Sequence, residues 1–270
     1  MTDQQPNHGV GSLLFELAGD LRLSMLTRLK QKNYRLSQLA SELDVTMQEA
    51  HRNMTRLIDS SLVSKNKDGE LVLTAYGVTV VTMVPCYDFL YRTRDFFADH
   101  SLGDLPPKFI QRMGAFQSCE VVHGVMAILQ RWKKLYSDSE MYIKEIMAQV
   151  PLDLIETISI RVESGVKFSY IFASNAVVPK GRIQMLQKVG WRNFISKALV
   201  ERRMLPEVKV MTIFNEKYGC VLFPDKKGEP DLNTMFYGKD KEFHEWCADL
   251  FSYQWEKAGT FDESKLKHEL

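Results

Sequence analysis

The sequence predicts an α+β chain in two parts. Residues 1–97 form a helical N-terminal domain closed by a β-hairpin, and residues 98–270 form an α/β domain with a mixed sheet. Three observations predict this. A chain of 270 residues has room for about two domains at roughly 150 residues each. Apolar residues recur at three- and four-residue steps near the start, then give way to short apolar runs alternating with helical stretches. Between these patterns, ADHSLGDLPP at 98–107 gathers Gly, Pro, Asp and Ser and reads as a linker.

The elements follow in order. Residues 12–31 read as one helix, with Leu14, Leu17, Ala18, Leu21, Met25 and Leu29 on one side. Residues 36–43 make a short second helix on Leu36, Leu39, Ala40 and Leu43. A third spans about 47–60, buries Ala50, Met54, Leu57 and Ile58, and opens on Thr46 and Glu49 in capping-box spacing. LVSKNKDGELVLTAYG then reads as two short strands about a turn at Lys67, Asp68 and Gly69. Residues 75–97 carry Tyr76, Val80, Val84, Tyr87 and Tyr91 at helical spacing, with Pro85 expected to kink or interrupt the helix.

Beyond the linker, 108–136 reads as helical, 141–148 as a strand and 151–163 as a helix. Gly165 precedes a strand at 166–173, a helix covers 181–200, and strands are expected at 207–214, 218–223 and 232–237. A closing helix at 239–258 has Phe243, Trp246, Cys247, Leu250, Phe251 and Trp255 on one side. Strand and helix in alternation, followed by a meander, predict a partly parallel sheet.

Composition excludes several classes. Hydrophobic residues at 45% and charged residues at 26% are ordinary for a globular protein. No apolar run reaches the roughly 20 residues of a membrane span. MTDQQPNHGVGS lacks the basic and apolar regions of a secretory leader, so a cytoplasmic location is expected. Cys86, Cys119, Cys220 and Cys247 stand far apart, with neither CxxC nor zinc-ligand spacing, and are expected as reduced, partly buried thiols. No metal or cofactor is expected.

The net charge of +1 argues against a uniformly basic coat but hides a local bias. From Arg28 to Lys67, eight basic residues face four acidic ones, a segment of net +4 in a chain whose remainder is −3. Helix, helix, turn, helix and hairpin is the order of a winged helix. LSQLASELDVTMQEAHRNMTRLIDSSLVSK, within a match from about Leu36 to Thr74, resembles the ArsR-like winged-helix regulators. The third helix presents a polar face of the width that enters a major groove. On it, Gln48 is expected to read adenine and Arg52 guanine, with His51 and Thr55 adding polar contacts and Arg56 reaching phosphate. Thr46 and Glu49 at the helix start complete the set, and Lys65 and Lys67 on the wing face backbone or minor groove.

FYGKDKEFHEWCADLFSYQWEKA at 236–258, with LPPKFIQRMGAF and ESGVKFSYIF, resembles archaeal winged-helix regulators that carry the methanogenesis-regulator type of middle and C-terminal domain. These are similar in turn to the TrmB-type regulators, whose sensor domain has a phospholipase-D-like core. The resemblance spans about Leu13 to Ala258. It implies a dimeric transcription regulator with an effector-binding or signal-receiving domain, and double-stranded DNA as partner.

Phospholipase-D chemistry needs a His with Lys two residues on. None of His8, His51, His100, His123, His244 and His268 has it, and GxSxG, P-loop and GxGxxG are absent too, so no catalytic residue is expected. Asp249 and Glu256 read as surface carboxylates. Ligands of an α/β sheet bind beyond the carboxyl ends of its strands. Ser174, Asn175 and Asn215 with Glu216 are expected at such ends, and Lys180 and Arg182 open the next helix, a setting for a small polar or anionic effector. The aromatic helix at 75–97 is a candidate for pairing with a second copy. Two readings stand beside this one: a regulator that acts through a protein partner without a small ligand, and a degenerate phospholipase-D-like enzyme.

Overall fold

A computed structural model describes residues 9–148 and 151–268. His8 and most of the polar stretch read as carrying no leader lie outside the described residues. Among the described residues no helix is long and apolar enough to cross a membrane. The chain divides into two compact units, Met1–Pro85 and Cys86–Leu270. That division falls upstream of the expected one at 97/98. Cys86, Phe89 and Leu105 belong to the core of the second unit, and the segment read as a linker is tied into that unit by bonds from Ser101 N to Pro224 O and from Lys226 N to Asp99 O, both 3.0 Å.

The first unit comprises α1 (Val10–Leu17), α2 (Asp20–Gln31), α3 (Leu36–Glu42), α4 (Met47–Asp59), β1 (Val63–Lys65), β2 (Leu71–Leu73) and the start of α5 (Ala75–Arg92). The single helix expected over 12–31 is two. Gly19 between them is extended, and the Arg22 guanidinium lies where a Cβ on Gly19 would be, 2.5 Å from it. Arg22 uses that gap to donate from Nε to the Glu16 carbonyl at 2.8 Å and from Nη2 to the Phe15 carbonyl at 2.7 Å, closing the end of α1. Met25, Leu26, Leu39, Ala50, Met54 and Leu57 bury the facing stripes of α2, α3 and α4 in one core.

β1 and β2 pair antiparallel, Val63 opposite Leu73. Tyr34 adds a third rung: its N–H donates to Leu71 O at 3.3 Å, and its carbonyl oxygen accepts from Leu71 N–H at 2.7 Å. This is a winged helix by element order and pairing. α5 runs on through Pro85 rather than stopping there, and the boundary between the units falls at that residue.

The second unit comprises α6 (Pro107–Ile110), β3 (Glu120–His123), α7 (Val125–Ser137), β4 (Tyr142–Met147), α8 (Leu152–Glu163), β5 (Lys167–Ala173), β6 (Val177–Val178), α9 (Arg182–Lys188), α10 (Trp191–Ser196), β7 (Val200–Leu205), β8 (Met211–Asn215), β9 (Gly219–Leu222), β10 (Thr234–Gly238), α11 (Lys241–Lys257), β11 (Gly259–Thr260) and β12 (Lys267–His268). The stretch 108–136 is therefore not one helix: β3 lies inside it. Nor is 181–200. Gly190, with φ +68°, ends α9 in the left-handed conformation glycine adopts freely, and the chain turns again at Ala198 into β7.

Eight strands form one mixed sheet in the order β11-β7-β5-β4-β8-β9-β10-β3. β4, β5 and β7 run parallel at its centre, and the remaining pairings are antiparallel. Residues at alternate positions define the two faces. Glu145 and Tyr170 face α7, and the Tyr136 hydroxyl of that helix donates to the Glu145 carboxyl. Lys144 and Phe214 face α11, where Lys144 lies over the Phe251 ring at 5.4 Å. The interior on that side is aromatic. Phe116 sits 4.8 Å from both Phe243 and Trp246, and Trp246 Nε1 donates to Phe109 O at 3.0 Å.

Candidate nucleic-acid interface

The outward face of α4 is set by its start. Thr46 Oγ1 accepts from Glu49 N at 3.2 Å, and the Glu49 carboxylate accepts from Thr46 N at 3.1 Å, which closes the capping box. The Thr46 hydroxyl adds a bond to the same carboxylate at 2.8 Å, and these bonds hold the Glu49 carboxyl below its ordinary range. Both residues thus position the helix, and their side chains are spent on each other.

Ala50, Met54 and Leu57 turn inward on α4, which leaves Gln48, His51, Arg52 and Thr55 exposed on the other side. Gln48, His51 and Arg52 border a shallow depression together with Glu49. Thr55 returns its hydroxyl proton to the His51 carbonyl at 2.9 Å, so it offers an outward oxygen as acceptor and its methyl as an apolar contact.

Arg56, expected from the sequence to reach phosphate, is paired within its own unit. It donates to both carboxylate oxygens of Glu16, at 3.0 and 2.7 Å, and lies over the Phe15 ring at 5.0 Å. Glu16 also takes Arg22 at 3.1 Å, so one carboxylate from α1 neutralises two arginines. Arg28 is similarly held by Glu42 at 3.4 Å. Arg52, Lys65 and Lys67 remain exposed and outside these pairs.

Asn66 shapes the wing. Its side-chain oxygen accepts from the backbone N–H of Asp68 at 3.0 Å and of Glu70 at 2.9 Å, and Gly69 takes φ +75°. This turn holds Lys67 at the tip. Sequence reading named the turn but not Asn66, although Asn two residues before Asp and three before Gly is the signal for it. Glu16 and Tyr34 were missed because their partners lie 40 and 37 positions along the chain.

The residues expected to hold an effector do not form one site. β8 is antiparallel to β4, and β5 is parallel to it, so Asn215 pairs with Ile143 at one end of the sheet while Ser174 follows Ala173 at the other. Asn215 is also fully buried and saturated. Nδ2 donates to Leu135 O at 2.8 Å and Ser139 Oγ at 3.0 Å, and Oδ1 accepts from the N–H groups of Lys217 at 2.8 Å and Tyr218 at 2.7 Å. Glu216 caps the start of β4 by accepting from the N–H groups of Glu140, Met141 and Tyr142. Ser174 donates to Pro206 O at 3.2 Å, and Asn175 and Lys180 are exposed. Arg182 is the other buried member of the set, 4% exposed.

No group of three metal-ligating side chains gathers among the described residues. Cys86, Cys220 and Cys247 are buried, Cys119 is half-buried, and none is disulfide-bonded. Burial pushes the Cys247 thiol up to about 12, away from the reactive thiolate.

No family model matches the chain. It is similar to the methanogenesis regulatory protein FilR1 of Methanothrix harundinacea, 23% identical over 275 residues, covering 92% of this chain and 58% of the relative. The chain thus spans little more than half the length of that protein. Among solved structures, the archaeal chromatin protein TrmBL2 aligns over 95% of this chain and 100% of its own at 14% identity and a TM-score of 0.43. The homodimeric winged-helix DNA-binding domain of Mb0332 from Mycobacterium bovis covers 34% of this chain and 95% of its own, at 17% and 0.30. Nuc, a phospholipase D family member from Salmonella typhimurium, covers 54% and 99%, at 11% and 0.40.

Proposed function

We propose that this chain is a DNA-binding transcription regulator. One observation carries the reading: a capped helix of a winged helix turns Gln48, His51, Arg52 and Thr55 outward, beside a wing carrying Lys65 and Lys67. A helix of this kind fits the major groove. Arg pairs bidentately with guanine and Gln with adenine, while wing lysines meet phosphate or minor groove. The similarity to a methanogenesis regulatory protein supports the same reading. The second unit senses or assembles rather than catalyses, since the HxK pairing of phospholipase-D chemistry is missing from the sequence.

The regulator works as a homodimer through α5. Tyr76 and Met83 stand seven residues apart, two turns, on the first unit's part of that helix, and both are exposed. Two copies present two reading heads to two half-sites. Occupancy is set by the second unit, through a small effector or a partner that favours the spacing the operator needs.

Recovery of crosslinked DNA from cells tests the reading. Enrichment at a limited number of sites sharing an inverted repeat supports it. Uniform recovery along the genome, or none above background, overturns it.

A further inference from the structure

A set of polar side chains, with Tyr136, Glu145, Tyr170 and Arg182 buried, lies in the second unit. Strand register places Glu145 of β4, Tyr170 of β5 and Arg202 of β7 side by side on one face of the sheet. Tyr136 of α7 reaches Glu145 from above, and Arg182 of α9 enters the same space. Met147, Leu154, Ile155, Ile158, Phe168 and Leu186 supply apolar walls around a cavity of about 40 Å³. Leu186 and Trp191 are shared with an adjoining surface cleft of about 410 Å³, which Arg202 and Glu263 also line.

Arg182 is the unusual member. A buried guanidinium needs acceptors for its donors, and its Nε–H has none. Its Nη1 donates to Glu263 Oε1, while the second oxygen of Glu263 accepts from Arg202 Nη1 at 3.2 Å. The two arginines also lie over rings, Arg182 at 5.9 Å from Phe172 and Arg202 at 4.3 Å from Phe261. The carboxylate between them comes from a short 3-10 turn after α11, Glu263–Lys265, and its side chain is 40% exposed. A surface segment thus dips one carboxylate between two guanidiniums at the mouth of an apolar cavity.

We infer that Arg182 and Arg202 form a carboxylate-reading site, that Glu263 occupies it in the free protein, and that an amphipathic monocarboxylate competes with Glu263 for it. The ligand carboxylate lies at the mouth, between the arginines, with its apolar body in the cavity and the adjoining cleft. Paired guanidiniums select a planar carboxylate, which each can grip with two donors. The inner end, lined by Tyr136 and Glu145 among apolar side chains, holds no cation among the described residues to pair a second anionic group, which favours a ligand with one charge at the mouth. As an effector site the cavity rests on the regulatory reading above; as a binding site it is tested without DNA.

The full chain is titrated calorimetrically with butyrate, hexanoate, octanoate and benzoate, and with the corresponding neutral amides. At least one acid binds saturably and its amide binds at least tenfold more weakly. Glu263→Gln, which removes the internal competitor's charge, tightens the acid about tenfold. Leu154→Trp, which fills the cavity, abolishes binding while circular dichroism stays that of the wild type. On saturation with the acid, amide exchange at 263–266 accelerates as the turn is released. Binding of amides as tightly as acids overturns the inference. So does weaker binding by Glu263→Gln, or no binding of any acid to either protein. Should Leu154→Trp fail to fold, the acid–amide contrast and the Glu263→Gln shift decide. DNA affinity enters none of these results, so the DNA-binding reading stands or falls separately.

Discussion

Arg56 of α4 and Glu16 of α1 are joined by two parallel hydrogen bonds, Nε to Oε2 at 3.0 Å and Nη2 to Oε1 at 2.7 Å. The pair engages Arg56, while Arg52 on the same helix lies exposed outside it. The pair also holds the Glu16 carboxyl below its ordinary range, first through its hydrogen bond to Arg56. Arg56→Ala therefore lowers the melting temperature. Because a depressed carboxyl stabilises the fold above its unfolded value of 4.5 and loses that effect as pH falls, wild type and variant converge in acid. Thermal melts at pH 7 and pH 3 check this, and an equal difference at both would exclude the pair as its source.

Gly77 brings α5 against the wing. A Cβ there would stand 2.0 Å from the Leu62 carbonyl oxygen, a backbone atom that cannot rotate away. Gly77→Ala destabilises by about 1–3 kcal/mol, the usual cost of forced overpacking. Urea denaturation measures it. A neutral substitution would mean that α5 approaches β1 less closely than the structure has it.

Glu145 gives the fold a pH dependence of opposite sign. Burial raises its carboxyl from 4.5 to about 8, so between those values the folded chain holds a proton that the unfolded chain has released. Its contribution is complete below pH 4.5 and is lost as pH rises through 8. Glu145→Gln removes this slope and is more stable than wild type at pH 8.5. Denaturation at pH 6 and pH 8.5 reads the difference, and parallel profiles would contradict it.

Asn215 distinguishes a structural residue from a ligand contact. Its amide joins the end of α7 to the β8–β9 turn through four bonds. Asn215→Ala strands the N–H groups of Lys217 and Tyr218 and costs about 2–4 kcal/mol at typical penalties for buried unpaired groups. The loss appears in chemical denaturation, and a cost below about 0.5 kcal/mol would show the bonds to be dispensable.

What the sequence disclosed depended on how local the signal was. α4, α11 and β5 were legible because an apolar pattern and a cap or a preceding glycine mark each locally, and β4 because its short apolar run stands out from polar flanks. β7 was hidden because VERRML carries three charged residues in a row, with Arg202 on the same face as Val200 and Met204, and it follows helical residues without a strong breaker except Gly190. β3 was hidden because four residues at a sheet edge, three of them exposed, leave almost no apolar pattern. The outward side of α4 was legible as a polar stripe on one helix. That Arg56 pairs within the unit depended on Glu16, 40 residues away. The residues expected to hold an effector lie apart for a related reason: strand ends can be read locally, but whether two strands end on the same side of a sheet is a matter of pairing direction. Arg202 and Glu263 were out of reach on the same ground.

The most direct test of the DNA-binding proposal is affinity for an operator fragment, recovered as above, measured against salt for wild type, Arg52→Ala, Arg56→Ala and the double variant Lys65→Ala/Lys67→Ala. If α4 and the wing grip the duplex, Arg52→Ala loses about tenfold or more and relaxes discrimination at one base pair. The wing variant weakens all sequences alike and lowers the salt slope by about two, and Arg56→Ala leaves that slope unchanged. Unchanged affinity and slope in both the Arg52 and the wing variants would contradict it.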